Sequence, residues 1–237
     1  MENFLRQVND NLHISLSPTQ VNMFVMYEAL LIEWNTKFNL TTITDPSEVR
    51  VKHFLDSLTC LHVIPEQGSF SLIDIGTGAG FPGIPLVIIN PSIKLTLVES
   101  VRKKSDFCQI AVEKLRLTNT QVITSRAETI GQDQKFRECY DWAIARAVAP
   151  LPILAEYLLP LVHIGGSMLA QKGGYVDNEI DQSENVIKIL GGKLDLVIPI
   201  SLPDGMGERT LIQIRKITPT PTKYPRRPGV PKKKPLN

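Results

Sequence analysis

The sequence predicts a doubly wound α/β fold, a mostly parallel sheet with one antiparallel strand, behind an N-terminal helical cap. Three observations carry this. From Phe70 onward, short apolar runs alternate with longer amphipathic ones, as in a parallel sheet with helices on both faces. The last two apolar runs, LDLVIPI and RTLIQIRK, flank a short segment containing Asp204-Gly205; they read as a hairpin that puts one antiparallel strand into the sheet. Before Phe70, apolar residues recur at helical spacing instead.

Taken in order, Ser17-Pro18-Thr19-Gln20 starts a helix: Ser17 caps, Pro18 suits the first helical position and Gln20 completes a capping box. Met23, Met26, Tyr27, Leu30, Leu31, Trp34 and Phe38 then make a wide apolar face suited to a core. A shorter helix is expected around Ser47 to Leu61. Strands are expected near Ser71 to Ile75, Lys94 to Val98, Gln121 to Thr124, Asp141 to Ala145 and Ser167 to Gln171. Helices should start near Phe81, Ser100 and Leu151, with another from Tyr175 to Leu190 stopped by Gly191-Gly192. The chain thus divides into a cap (1–69), an α/β domain (70–217) and a tail (218–237).

The 237 residues, 43% of them hydrophobic, suffice for a full core. MENFLRQVND has no cationic start before an apolar run, and Glu156 and two prolines interrupt LPILAEYLLPLV, so neither export nor membrane insertion is indicated. Cys60, Cys108 and Cys139 lie far apart in no metal-binding arrangement and are expected as reduced core residues of a cytoplasmic protein. No metal is expected, and a monomer is.

The net charge of +2 conceals an asymmetry. The tail carries Lys223, Arg226, Arg227, Lys232, Lys233 and Lys234 with no acid; without them 20 basic residues face 24 acidic ones. Its six prolines forbid a regular helix or central strand, so it should be extended and adaptable. With Tyr224 available to stack, it reads as an arm for nucleic acid, whose loss should spare cofactor affinity.

The stretch LIDIGTGAGFPGIPL (72–86) falls after the first sheet strand, at the strand end where such folds bind ligands. Gly78-x-Gly80-x-x-Gly83 satisfies a dinucleotide fingerprint literally, which suggests a nicotinamide-dependent oxidoreductase. Pro82 and Pro85, however, remove two N–H donors from the turn that would hold a pyrophosphate. Asp74 would repel phosphate and could orient a cationic amino-acid ligand. Asp74-x-Gly76-x-Gly78-x-Gly80 therefore suits S-adenosylmethionine better, with glycines giving room for close approach. Glu99, ending the second strand, is placed to accept from both ribose hydroxyls. Ala127-Glu128 should lie at adenine, Glu128 accepting from its exocyclic amine. Arg146, ending the fourth strand, is placed to hold a carboxylate or an RNA phosphate, or to form a structural salt bridge.

After that fourth strand the chain reads ARAVAPLP. It contains neither an Asn-Pro-Pro-aromatic segment for amino-group methylation nor a Pro-Cys nucleophile for pyrimidine C6. A purine ring nitrogen such as guanine N7 needs only alignment and charge tolerance, since its lone pair is already available.

The residues together resemble the glucose-inhibited division protein B family, also called ribosomal RNA small subunit methyltransferase G. The resemblance rests on Asn39-Leu40-Thr41, His53-x-x-Asp56-Ser57-Leu58, Asp74 to Leu86, Glu99-Ser100 with Lys103-Lys104, Arg126-Ala127-Glu128, Ala145 to Ala149, Lys172-Gly173, and Tyr224-Pro225-Arg226 with Gly229 and Pro231. It implies a class I methyltransferase (Rossmann-like) fold, S-adenosyl-L-methionine as cofactor and N7 methylation of a guanosine in 16S ribosomal RNA, free or in the small ribosomal subunit. By motif position it implies cofactor contacts at Gly76, Phe81, Glu99, Ser100, Val101, Ala127, Glu128 and Arg146; the turn itself adds Asp74 and Gly78. Lys52 stands where many relatives have arginine.

Spacing puts His53 and Asp56 on one helical face and favours a buried pair over catalysis. Arg102-Lys103-Lys104 sits at a helix start, where cations are disfavoured, and is expected to contact RNA, as are Lys172 and the tail cations. A noncatalytic ribosome-binding factor is the other reading that the basic tail and the lack of a proton-transfer dyad permit.

Overall fold

The computed structural model describes residues 1–174 and 176–236. Three helical segments come first: α1 (Glu2–Leu12), α2 (Pro18–Asn35) and a composite turn-by-turn helix over 46–62. The composite holds α3 (Pro46–Val49), a π-helical stretch at Arg50–Leu55, α4 (Asp56–Leu58) and a 3₁₀ turn at Thr59–His62. Helix α2 begins as its sequence demands, with Ser17 and Gln20 closing both halves of a capping box.

The face α2 buries keeps most of the expected stripe, with Met23, Leu30 and Trp34 partly buried against the core, but adds the unexpected Phe24 and leaves out Met26. Phe24, Tyr27, Glu28 and Leu31 are buried, whereas Met26 is 46% exposed. This helix is apolar nearly all round, so spacing alone does not fix which stripe turns inward. The α1 helix was not expected either. Its Phe4 and Val8 sit one turn apart and are buried, and Phe4 meets Phe24 edge-on at 5.3 Å between centroids, a tertiary contact that no local signal announces.

The remaining elements are β1 (Ser71–Ile75), α5 (Gly83–Ile89), β2 (Lys94–Glu99), α6 (Arg102–Lys114), β3 (Thr120–Thr124), α7 (Ala127–Gln132), β4 (Tyr140–Arg146), α8 (Leu151–Leu158), β5 (Val162–Gly173), α9 (Asp177–Ile189), β6 (Gly192–Ser201), β7 (Glu208–Lys216) and α10 (Val230–Lys233). All expected strands are present. The expected start of α9 at Tyr175 lies outside the described residues. Strand order is β3-β2-β1-β4-β5-β7-β6, with β7 antiparallel to both its neighbours and the other pairs parallel. The chain winds outward from β1 through β2 to β3 and returns on the other side at β4, so the topological switch lies between β1 and β4.

One sheet face packs on the cap. Phe24, Tyr27, Leu31 and Phe54 share a cluster with Leu72, Ile84, Leu97 and Phe107; Tyr27 stacks on Phe54 at 5.4 Å and reaches Phe81 at the same separation. The other face packs on α8 and α9, and Tyr224 of the tail belongs to that cluster. Cys60 and Cys108 are buried, while Cys139 is exposed, so only two of the three cysteines are core residues.

The tail is a correction to the expectation of an extended, adaptable arm. Arg226 donates from its backbone N, Nε and Nη2 to Glu156 at 2.8, 2.9 and 2.6 Å. Glu156 is fully buried, so this carboxylate requires its partner. Arg137 holds the carbonyls of Thr220, Pro221 and Tyr224, and buried Lys216 donates to Leu159 O and the Thr220 hydroxyl. Proline fixes φ but does not prevent docking through side chains and carbonyls, and that route organises this segment.

Replacing Arg226 with Ala strands the Glu156 carboxylate in the core. The expected loss is about 3–5 kcal/mol of unfolding free energy in urea denaturation, whereas Ala at exposed Arg227 should change it by less than about 0.5 kcal/mol.

Candidate active site

The bend after β1 is built from backbone that only glycine adopts freely. Gly76, Gly78 and Gly80 have φ of 69°, 62° and 93°. Its amides are spent inside the protein: Gly76 and Thr77 donate to Val98 O, Gly78 to Glu99 Oε2, Gly80 and Phe81 to Thr77 O, Gly83 to Asp74 Oδ2 and Ile84 to Gly80 O. Pro82 and Pro85 have none to give. No cluster of free N–H groups is left for a pyrophosphate, which removes the physical basis of dinucleotide binding here.

The two acids expected to hold the ligand both hold the bend. Asp74 is fully buried; its Oδ2 accepts from the Thr77 hydroxyl at 2.7 Å and the Gly83 amide at 2.9 Å, while Oδ1 is buried without a partner. Burial pushes this carboxyl up to about 7, against the pull of those two donors, so much of it is neutral at physiological pH. Asp74 is therefore corrected from a ligand contact to the support beneath the turn. Glu99 accepts from Gly78 N at 2.9 Å and Val101 N at 2.8 Å, one on each oxygen. That clip joins the ends of β1 and β2, and ribose hydroxyls would share oxygens already engaged by amides.

Beside the bend, at the carboxyl ends of β1 to β4, lies a crevice of about 230 Å³. Gly76, Ser100, Ala127 and Glu128 line it, as expected, together with Val98, Ile153, Tyr157 and Lys232. Ala147 (φ 54°) carries Val148 over Gly76, where an added Cβ would lie 2.8 Å from Val148 Cγ2. Glu128 is 4% exposed; its Oε1 accepts from Gly229 N at 2.8 Å and Tyr157 Oη at 3.3 Å, and among the described residues none donates to Oε2. Apolar walls, a glycine floor and one carboxylate oxygen suit an adenosine lacking phosphate, so the residues present fit S-adenosylmethionine.

Phe81 and Arg146 lie in a second assembly that joins the sheet to the cap. Arg146 Nη1 donates to Asp56 Oδ2 at 3.0 Å and Lys52 O at 3.2 Å, with Nη2 3.3 Å from His53 Nδ1. Its guanidinium lies 5.0 Å from the Phe81 ring centroid, and the His53 ring stacks on Phe81 at 4.7 Å. Asp56 also accepts from Arg209 Nε and Gln171 Nε2. Arg146 is thus a structural partner of Asp56, one of the roles its sequence position left open. Arg209 and Gln171 were missed, because β7 and β5 bring them to Asp56 from far along the chain. Burial first, and then the charge of Arg146, drives His53 down to about 3, so it stands neutral beside the arginine.

Among the expected RNA contacts, Lys172 is corrected: its Nζ binds Ala149 O and Glu179 Oε1, both at 2.9 Å. Arg226 is spent on Glu156. Arg102 is exposed and pairs only with Asp106 on its own helix; Lys103 Nζ lies 4.8 Å from the Phe38 ring centroid. Lys103, Lys104, Lys37 and Asn39 border one polar hollow. Lys223, Arg227, Lys232, Lys233 and Lys234 are exposed. Val101 is exposed beside the bend and Gly78 lies within it. Among the described residues no group of three or more His, Cys, Asp or Glu is placed to hold a metal ion, and no helix is long and apolar enough to cross a membrane.

Residues 20–203 match the family model for rRNA small subunit methyltransferase G. The chain is 51% identical to a ribosomal RNA small subunit methyltransferase G of Pelotomaculum thermopropionicum, over 94% of this chain and 93% of that one. It belongs to that family. A relative of the same description from Lactobacillus acidophilus is 43% identical over 100% of this chain and 99% of its own. Among solved structures, a SAM-dependent methyltransferase from Aquifex aeolicus aligns with a TM-score of 0.53 at 16% identity, covering 72% of this chain and 93% of that one. TYW2 of M. jannaschii in complex with AdoMet aligns at 0.56 and 13%, covering 70% and 76%. At such identities the structures establish the class I, Rossmann-like fold; family membership comes from the sequence relatives.

Family membership leaves two local tests. Gly76→Ala meets both a positive φ and Val148, so S-adenosylhomocysteine affinity should fall about 5- to 150-fold, the scale of 1–3 kcal/mol of backbone strain; Val148→Ala should recover part of it in calorimetric titration. For His53 the folded value is depressed, so its stabilisation is present above the unfolded value of about 6.5 and is lost as pH falls towards about 3. Urea midpoints between pH about 7 and about 4.5 should therefore fall more steeply for the native chain than for His53→Gln.

Proposed function

We propose that this chain transfers a methyl group from S-adenosylmethionine to N7 of a guanosine in 16S ribosomal RNA, free or within the small subunit, in the cytoplasm. The observation that carries the reading is the crevice at the sheet's switch point. It offers a carboxylate oxygen and apolar walls, and the glycine bend beside it keeps no cluster of unspent amides for a pyrophosphate, in a chain of a methyltransferase family. The bound cofactor supplies an electrophilic methyl group on a positively charged sulfur.

The chain's own residues position and screen. Glu128 Oε2 accepts from the adenine amine, Gly76 and Gly78 let the ligand approach the backbone, and Ser100 borders the ribose side. Asp74 and Glu99 keep the bend from relaxing, so the floor is preorganised before any ligand arrives. Phe81 packs against the Arg146 guanidinium, and Asp56 holds that arginine by an ion pair, so its charge is fixed in place. Neutral His53 adds no further positive charge. Guanine N7 has no proton to lose, so catalysis by alignment needs no general base.

On the RNA side, exposed Lys103, half-buried Lys104 and Lys37, which pairs with Glu33, border one hollow, and Arg126 and Lys232 stand at the crevice, with exposed Lys233 and Lys234 following in the chain. Phosphate contacts by flexible lysines confer affinity without sequence reading.

Incubation of immature small subunits with isotope-labelled cofactor should label one guanosine of 16S RNA. Borohydride reduction and aniline should then cleave the strand there, as N7 alkylation labilises the base. Labelling at another atom would refute the acceptor assignment, and no labelling would favour the noncatalytic ribosome factor. Lys103→Ala with Lys104→Ala should lower RNA affinity and flatten the salt slope by about 1 to 2, roughly one per lost phosphate contact, with cofactor affinity unchanged.

A further inference from the structure

The tail enters the crevice rather than trailing from it. Beyond the Arg226 anchor, Gly229 adopts φ 81°, Pro231 is buried, and Lys232 lines the same cavity as Ala127, Glu128 and Tyr157. The Gly229 amide donates to Glu128 Oε1 at 2.8 Å. That bond settles which oxygen of Glu128 is used up. With Oε1 occupied by Gly229 N and the Tyr157 hydroxyl, Oε2 remains as the acceptor of a carboxylate that is otherwise buried.

We propose that segment 228–233 is a wall of the cofactor site: Gly229 orients Glu128 towards the adenine amine, and the Lys232 side chain covers the base. This rests on reading the crevice as the S-adenosylmethionine site, and it reverses the expectation that the tail serves RNA alone. Glu128 is buried, so an unheld carboxylate there would rotate to satisfy itself elsewhere; the strap keeps one oxygen committed and the other available. A lysine stem covers apolar surface while its ammonium stays in water. Lys232 therefore adds contact area to a cationic ligand without placing charge against it, and leaves its ammonium at the rim beside Arg126.

The test uses the full-length chain and S-adenosylhomocysteine. Saturation should slow amide hydrogen exchange across 226–234, with the edge strand β6 as the unaffected reference. Lys232→Ala should raise the dissociation constant several-fold, on the order of threefold to tenfold for lost stem contact, while Lys232→Met, which keeps the stem, should bind like the native chain. Gly229→Ala, which meets no atom within 4 Å but strains its φ, should weaken binding while lowering the ligand-free melting temperature by no more than a few degrees. Bound ligand with unchanged exchange across 226–234, or native affinity in both Ala variants, overturns the inference and leaves the crevice reading standing. Failure of the native chain to bind S-adenosylhomocysteine overturns both.

Discussion

Two buried carboxylates hold the glycine bend, and the functional geometry depends on them. A run of glycines costs entropy to fix, and nothing in its own side chains selects one path. Asp74 takes the Gly83 amide and the Thr77 hydroxyl below the bend; Glu99 takes the Gly78 and Val101 amides beside it. Tyr27 of the cap adds its hydroxyl to Ala79 O. The bend is thereby tied to β1, β2 and α2 at once, and its exposed surface becomes a rigid floor. These bonds also use up the donors that a phosphate would have needed, so one set of contacts both shapes the floor and selects against dinucleotides.

The cap follows from the same arrangement. Tyr27 can reach Ala79 because its ring is packed between Phe54, Phe81 and Phe107. Phe81 in turn carries His53 on its ring and Arg146 nearby. Asp56, on the composite helix of the cap, then gathers Arg146 from β4 and Arg209 from β7. Burial raises the Asp56 pKa and the two guanidinium groups oppose that rise. A carboxylate so placed is costly alone and tolerable only as a hub. The cap is thus joined to the sheet through its charges as well as its apolar face, and the composite helix cannot shift without disturbing the strand ends around the crevice.

The tail closes the opposite side by the same kind of bond. Glu156 and Glu128, on α8 and α7, are both buried acids that accept backbone N–H groups from the tail, at Arg226 and Gly229. A chain rich in proline cannot supply a ladder of hydrogen bonds, but it loses less entropy when a few amides are captured. Basic composition and folded order are compatible here because only Arg226 turns its charge inward.

The sequence by itself determined the architecture. Alternating apolar runs after Phe70 foretold the strands, the Asp204-Gly205 segment foretold the antiparallel partner, and Ser17 to Gln20 foretold a helix start, because each is a local preference of the backbone. It also placed Gly76, Ala127 and Glu128 at one strand-end site, since the strand ends of such a sheet converge, and the family resemblance added Ser100. Only the tertiary structure decided what each polar group does. Asp74 and Glu99 lie where a ligand could use them, yet the Thr77 hydroxyl and the Gly83 amide reach Asp74 first, and the Gly78 and Val101 amides already engage Glu99. Lys172 and Arg226 look like free cations until β5 meets α9 and the tail meets α8. A side chain's type and position are written in the chain, but its partner is whichever group folding brings within about 3 Å, and for these residues that group lies far away in sequence or on another element.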